Sequence, residues 1–123
     1  MLVWQKTVKS WILSIVTLFI LSANIVYAEK LATTLKGQIV ANNPAGLRVM
    51  VMESDDSILD MTETSAEGVY KLDLTVMDTS SQDEVKKLVV EVRDKSGKRK
   101  KFPVARYLNI FDDTVLLRPI ILN

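Results

Sequence analysis

The chain has 123 residues, with 16 Lys and Arg against 15 Asp and Glu, and it contains neither histidine nor cysteine. This length leaves room for one domain, and the near-neutral charge argues against nucleic acid or another polyanion as a partner. Without histidine or cysteine the chain cannot form a Ser-His or Cys-His nucleophile pair, a His or Cys zinc site, or a disulfide. We therefore expect a non-enzymatic protein without cofactor or metal, held together by packing alone.

The N-terminal segment has the composition of a secretory signal peptide. Lys6 and Lys9 form a short basic region ahead of an apolar run from Trp11 to Leu21. Val26 and Ala28 then suit the −3 and −1 positions of a signal-peptidase site. This order of basic, apolar and small residues predicts export, with cleavage after Ala28.

Cleavage at this position defines the two parts of the chain. Residues 1–28 are predicted to be the signal peptide, and residues 29–123 the mature domain in a periplasmic or extracellular location of a bacterial cell envelope. The alternative is an uncleaved anchor, because the apolar run and its extension approach the shortest length of a membrane helix. The domain would contact a membrane only in that case.

Seven runs of the mature chain have the short length and the bounding turns of β-strands. They are Leu35–Val40, Leu47–Glu53, Ile58–Thr64, Val69–Val76, Lys87–Arg93, Lys98–Val104 and Val115–Leu122. Their spacing and number predict an all-β, seven-stranded antiparallel sandwich.

The fourth strand and the turn before it carry the clearest pattern. Tyr70, Leu72, Leu74 and Val76 are expected on one buried face, because side chains alternate along a strand. Gly68 before them is expected to need positive φ, which glycine adopts without steric cost.

Other strands carry signals of their position within a sheet. The apolar run Leu47–Glu53 predicts a central strand covered on both faces. Because proline has no N–H for the ladder, Pro103 predicts an edge strand or the end of its strand, and Pro119 predicts an edge or a bulge. The polar connection from Asp78 to Glu84 is predicted to hold at most a short turn capped by Ser80 or Ser81.

Three motifs in the first half of the domain resemble the carboxypeptidase regulatory-like family. They are Gly37-x-Ile39-Val40, Pro44-x-Gly46-x-x-Val49-x-Val51 and Thr64-x-x-x-Gly68-x-Tyr70-x-Leu72. The resemblance implies a seven-stranded, prealbumin-like Greek-key sandwich. It also implies a non-catalytic accessory module, of a kind often found in envelope or secreted proteins, with no catalytic residues to transfer.

The strongest local charge feature is the basic run near the predicted sixth strand. If the domain binds an envelope protein, we expect the contacts to lie on this run and on the following loop, Tyr107–Phe111. The predicted contact residues are Lys98, Arg99, Lys100, Lys101, Tyr107 and Phe111. The alternative is an edge strand whose lysines only prevent aggregation.

Two other ligand classes remain open alternatives. Asp55-Asp56 and Asp112-Asp113 have the oxygen ligands that Ca²⁺ prefers, although turn chemistry explains acidic pairs equally well. A carbohydrate-binding module is the usual alternative for an exported sandwich, but Trp4 and Trp11 both lie in the predicted signal peptide. Oligomeric state and partner identity do not follow from the sequence.

N-terminal sequencing of the exported protein tests the predicted cleavage. The mature chain is expected to begin at Glu29, because Ala28 is the small residue that the peptidase requires at −1. A mature protein that still begins at Met1 would show that the segment is kept as an anchor.

Overall fold

The computed structural model describes residues 32–122, so the predicted signal peptide and its cleavage site lie outside the described residues. The strands in chain order are β1 (Thr34–Val40), β2 (Arg48–Met52), β3 (Ile58–Glu63), β4 (Val69–Asp73), β5 (Val89–Arg93), β6 (Arg99–Pro103), β7 (Leu108–Phe111), β8 (Thr114–Leu117) and β9 (Ile120–Ile121). Two short helices follow β4 and β6, and they are α1 (Gln82–Lys86) and α2 (Val104–Tyr107).

The strands form two sheets, as predicted for an all-β sandwich. Sheet 1 has the order β4-β1-β8-β7, with β9 pairing the end of β1, and sheet 2 has the order β3-β2-β5-β6. The prediction of a purely antiparallel fold was wrong, because β1 pairs in parallel with β8 and with β9. Sheet 1 is therefore a mixed sheet, whereas every strand pair of sheet 2 is antiparallel.

The core lies between the two sheets and follows the two-residue alternation of the strands. Leu35 and Ile39 of β1 alternate with exposed polar residues, and Val90 and Val92 of β5 face them from sheet 2. The residues predicted for the inner face of the fourth strand are buried as far as Leu74. The apolar pattern therefore determines which face of each strand points inward.

Among residues 32–122, Tyr70 is the largest fully buried side chain, and it packs against a glycine. It is the register partner of Gly37 in the adjacent strand β1, and a Cβ atom at position 37 would overlap the phenol ring. The phenol oxygen is buried without a hydrogen-bond partner among residues 32–122. Burial raises the pKa of Tyr70, so the phenol stays neutral at physiological pH.

The fourth strand ends earlier than its alternation predicted. Asp73 is the last residue of β4, and its carboxylate accepts a hydrogen bond of 2.8 Å from the N–H of Thr75. This Asx turn redirects the chain and competes with continuation of the strand. Val76 is consequently 67% exposed, and its predicted place on the buried face was wrong.

The C-terminal segment differs most from the prediction. The predicted last strand is interrupted at Arg118 and Pro119 and becomes β8 and β9. An edge or a bulge was predicted at Pro119; β8 instead lies inside sheet 1 between β1 and β7, and the irregularity at Pro119 is a break in the strand, after which β9 pairs with β1. Because Pro119 falls between the strands, its missing N–H removes no ladder hydrogen bond.

Three other predictions about elements are confirmed. β2 lies between β3 and β5, with Val49 to Met52 all buried. β6, which ends at Pro103, is an edge strand. Ser81 caps α1 by accepting a hydrogen bond of 3.2 Å from the N–H of Asp83.

The turn at Gly68 is hydrogen-bonded to β1 and to the loop that follows β1. Gly68 has φ of +83°, as predicted, and its carbonyl accepts a hydrogen bond of 2.8 Å from the N–H of Ile39. Thr64 at the start of this turn is buried; its hydroxyl accepts from the N–H of Leu47 at 2.9 Å and donates to the carbonyl of Pro44. A single buried hydroxyl therefore joins the β1–β2 and β3–β4 connections.

Gly68→Ala is expected to lower the free energy of unfolding by more than about 2 kcal/mol, measured by urea denaturation. Positive φ alone already destabilises alanine at this position. In addition, the new Cβ would overlap the Ile39 carbonyl and lie 2.9 Å from the Pro44 Cβ. Gly97→Ala is the matched control, because Gly97 has φ of +89° and a Cβ added there would meet no atom within 4 Å. Its expected cost is about 1–2 kcal/mol, and equal losses would contradict the packing argument.

Candidate functional site

The predicted basic run lies on the edge strand β6, where strand alternation divides it between two surfaces. Arg99 and Lys101 are register partners of Arg93 and Glu91 on the outer face of sheet 2. Lys98 and Lys100 instead line a groove on the other side of the strand. The sequence suggests one basic patch, but the fold produces two.

The backbone of β6 has its own alternation. The N–H of Asp94 donates to the carbonyl of Lys98 at 3.0 Å, and the N–H of Val104 donates to the carbonyl of Leu88 at 3.0 Å. In an antiparallel ladder every second residue shares this direction, so the even-numbered residues from 98 to 104 bond toward β5. Arg99 and Lys101 therefore direct their backbone N–H and C=O groups toward the open edge.

The groove beside β6 has a volume of about 350 Å³ and lies at one end of the sandwich. Leu47 and Val92 of the core contribute apolar surface to it, and Asn42, Lys98 and Lys100 contribute polar groups. The groove thus combines an apolar wall with three cations of the β5–β6 turn and β6, namely Lys95, Lys98 and Lys100.

The turn that leads into β6 is organised by Asp94. Its Oδ1 accepts hydrogen bonds from the Ser96 hydroxyl at 2.6 Å, the Ser96 N–H at 2.9 Å and the Lys98 N–H at 2.9 Å. These bonds, with that of the Ser96 hydroxyl the strongest, hold the pKa of Asp94 below the ordinary value of 3.8. Gly97 completes the turn with positive φ, and the turn joins β5 and β6 as an antiparallel hairpin.

The prediction that Tyr107–Phe111 forms a loop was wrong. Tyr107 ends α2, and the residues after it form β7, the other edge of sheet 1. The Tyr107 ring packs edge-on against Phe102 of β6, with ring centroids 5.8 Å apart. Tyr107 and Phe111 are both partly buried against the core, and Tyr107 also contacts β6, so neither residue belongs to a free loop.

The acidic pair Asp55-Asp56 serves the β2–β3 turn. Asp55 accepts a hydrogen bond of 3.0 Å from the N–H of Ser57, and Asp56 has φ of +66°. Asp56 also forms an exposed ion pair of 3.4 Å with Lys101. Among residues 32–122, no group of three or more acidic side chains comes together to hold a metal ion.

Sequence reasoning missed two arginines that the fold brings to the basic run. Arg48 of β2 and Arg93 of β5 are register partners, and Arg93 is in turn the partner of Arg99. Arg48 and Arg99 are far apart in the chain, so only the sheet order places them on one face. Strand alternation predicts an outward direction for each, but not that they are neighbours.

No family model and no curated protein sequence matches this chain. Among solved structures, a 9R-lipoxygenase from Cyanothece PCC8801 aligns with a TM-score of 0.47 and 11% sequence identity. The alignment covers 73% of this chain and 16% of the lipoxygenase chain. A likeness at this level carries no information about function. Within residues 32–122, no helix is long and apolar enough to cross a membrane.

Nuclear magnetic resonance titration is expected to give Asp94 a pKa below 3.8, and Ser96→Ala is expected to raise it. Because the folded-state pKa is depressed, this carboxylate stabilises the turn above its unfolded pKa of about 3.9, and the contribution is lost as pH falls through the folded value. Asp55 is the internal control, since the Ser57 hydrogen bonds that lower its pKa stay intact in Ser96→Ala. A value for Asp94 that does not respond to the substitution would contradict this account.

Proposed function

We propose that residues 29–123 form an exported, non-catalytic module of the carboxypeptidase regulatory-like, prealbumin-like type that binds another protein of the cell envelope. The observation that supports this proposal best is the edge strand β6. It combines outward backbone groups at Arg99 and Lys101 with three consecutive exposed cations, and Lys98 directly before the strand adds a fourth. An extended segment of a partner can pair with such an edge through main-chain hydrogen bonds.

The charge of the edge favours a partner segment with acidic side chains. Lys98, Arg99, Lys100 and Lys101 project alternately to both sides of the strand, so an added strand would meet cations on both of its faces. The ion pair of Lys101 with Asp56 is exposed at the surface, so breaking it when a partner binds costs little free energy. Side-chain charge thus selects the partner, and the backbone supplies the pairing.

The nearby aromatic residues hold the edge strand β6 against the core. Phe102 packs toward the core and against Tyr107, which fixes β6 relative to the start of β7. In the proposed complex Tyr107 and Phe111 hold the edge in position, and the cations make the contacts. A rigid edge loses less conformational freedom when a strand is added to it.

Lys101→Pro is the test of strand addition, compared with Lys101→Gln as the matched control. Both substitutions remove the charge, but only proline removes the N–H that points to the open edge, and neither removes a β5–β6 ladder bond. Crosslinking in the native envelope, followed by mass spectrometry, identifies the captured partner. Capture is expected to fall by at least about fivefold more for the proline variant than for the glutamine variant.

Equal capture by the two variants would show that the open edge does not pair with a partner strand. Thermal melting of both proteins checks that the fold is intact. The proline variant is expected to remain folded, because Pro103 already occupies the equivalent outward position two residues later on the same strand.

A further inference from the structure

Three arginines lie side by side on the outer face of sheet 2, which points away from the core. Arg48 of β2 is the register partner of Arg93 of β5, and Arg93 is the register partner of Arg99 of β6. Register partners in an antiparallel sheet project from the same face, with Cβ atoms about 5 Å apart. We name these three residues the arginine row.

The arginine row has an energetic cost in the free protein, because like charges directly opposite each other destabilise a sheet. Glu63 opposes Arg48 from β3, and Glu91 lies two residues before Arg93 on the same face. The buried Nε of Arg93 nevertheless has no hydrogen-bond acceptor among residues 32–122. Adjacent guanidinium groups are suited to bind carboxylates in a bidentate geometry.

Methionines occupy the neighbouring positions of the same face. Met50 is the register partner of Met61 on one side and of Glu91 on the other, and Ile58 is the partner of Met52. Met50 and Met52 are buried, whereas Met61 and Ile58 are 51% and 57% exposed. Arginine and methionine are both enriched in protein interfaces, and the flexible methionine side chain adapts to the shape of a partner.

The spacing of the arginine row matches an α-helix that lies across the strands. Neighbouring strands are about 4.8 Å apart, and side chains four residues apart on a helix are separated by about 5–6 Å. Carboxylates at every fourth position would therefore meet the three guanidinium groups in succession. An apolar stripe beside them on the helix would cover the exposed Met61.

The charge of the outer face of sheet 2 determines the sign of the charge that a partner must carry. Four cations, the arginine row and Lys101, share this face with only two acids, Glu63 and Glu91, among the described residues of sheet 2. The excess is positive although the whole chain is close to neutral. Complementary charge across an interface both orients a partner and rejects partners of the wrong sign.

We infer that the outer face of sheet 2 binds an acidic amphipathic helix of a partner protein. Its carboxylates pair with the arginine row, and its apolar stripe packs on Met61. The inference rests on the proposed function as a protein-interaction module and specifies the chemistry of the partner. It assigns the helix to the sheet face, while strand pairing at the β6 edge remains a separate contact.

A synthetic peptide of about 18 residues, long enough to form a helix, tests this inference. It carries Glu at every fourth position next to a stripe of Leu, and a scrambled peptide of the same composition is the control. Fluorescence anisotropy with the exported protein is expected to show binding that weakens as salt is added. The scrambled peptide is expected to bind at least about tenfold more weakly, because its acids and apolar residues cannot face the sheet together.

Two double variants with the same loss of charge locate the contact. Arg48→Gln with Arg93→Gln is expected to weaken peptide binding by about tenfold or more. Lys36→Gln with Lys71→Gln removes a register pair of exposed lysines from the outer face of sheet 1, and is expected to change binding by less than about twofold. Arg93→Lys keeps the charge but loses the planar fork, so an intermediate loss is expected even if the double variant fails to fold.

Equal losses in the two double variants, or equal binding of the two peptides, would overturn the inference. Binding to phosphatidylglycerol vesicles instead of the peptide would overturn it as well, because the surface would then recognise lipid. Envelope capture that needs the outward N–H of Lys101, together with absent peptide binding, would reject the helix site and keep the proposed function. Peptide binding that depends on Arg93, without any difference between Lys101→Pro and Lys101→Gln, would support the helix site and reject strand pairing.

Discussion

The packing of Tyr70 against Gly37 is the contact that sets the register of β1 and β4 in sheet 1. The two residues are register partners in β4 and β1, and only glycine leaves room for the ring beside the β1 backbone. A shift of one residue in this pairing would turn the aromatic ring to solvent and expose the core face of β4. Because the chain has no cysteine, no crosslink corrects such an error, and the fit of this large side chain sets the register.

The same alternation that builds the core also shapes the surface. On β6 it sends Lys98 and Lys100 to a groove and Arg99 and Lys101 to the outer face of sheet 2. The backbone alternates in parallel, so the two residues with outward side chains on the sheet face also carry the free N–H and C=O groups. An edge strand of this kind offers a partner two contacts of different chemistry, a main-chain ladder and a charged face.

The arginine row shows how a surface can be arranged for binding at the expense of local stability. Three guanidinium groups in register repel each other, and hydrophobic or alternating charges at the same positions would stabilise the sheet better. Met61, which is exposed on the same face, supplies an adaptable apolar surface. Binding of carboxylates would reduce the repulsion, so part of the free energy lost in the free protein is recovered in the complex.

The sequence by itself determined the all-β class, the inner faces of the strands, the positive φ of Gly68 and the edge position of β6. These features are local, because they depend on alternation, glycine geometry and the missing N–H of Pro103. Only the tertiary structure decided the parallel pairing of β1 with β8, the burial of Tyr107 and the neighbourhood of Arg48, Arg93 and Arg99. Strand order and register are set by packing between distant segments, and no spacing along the chain encodes which strands become neighbours.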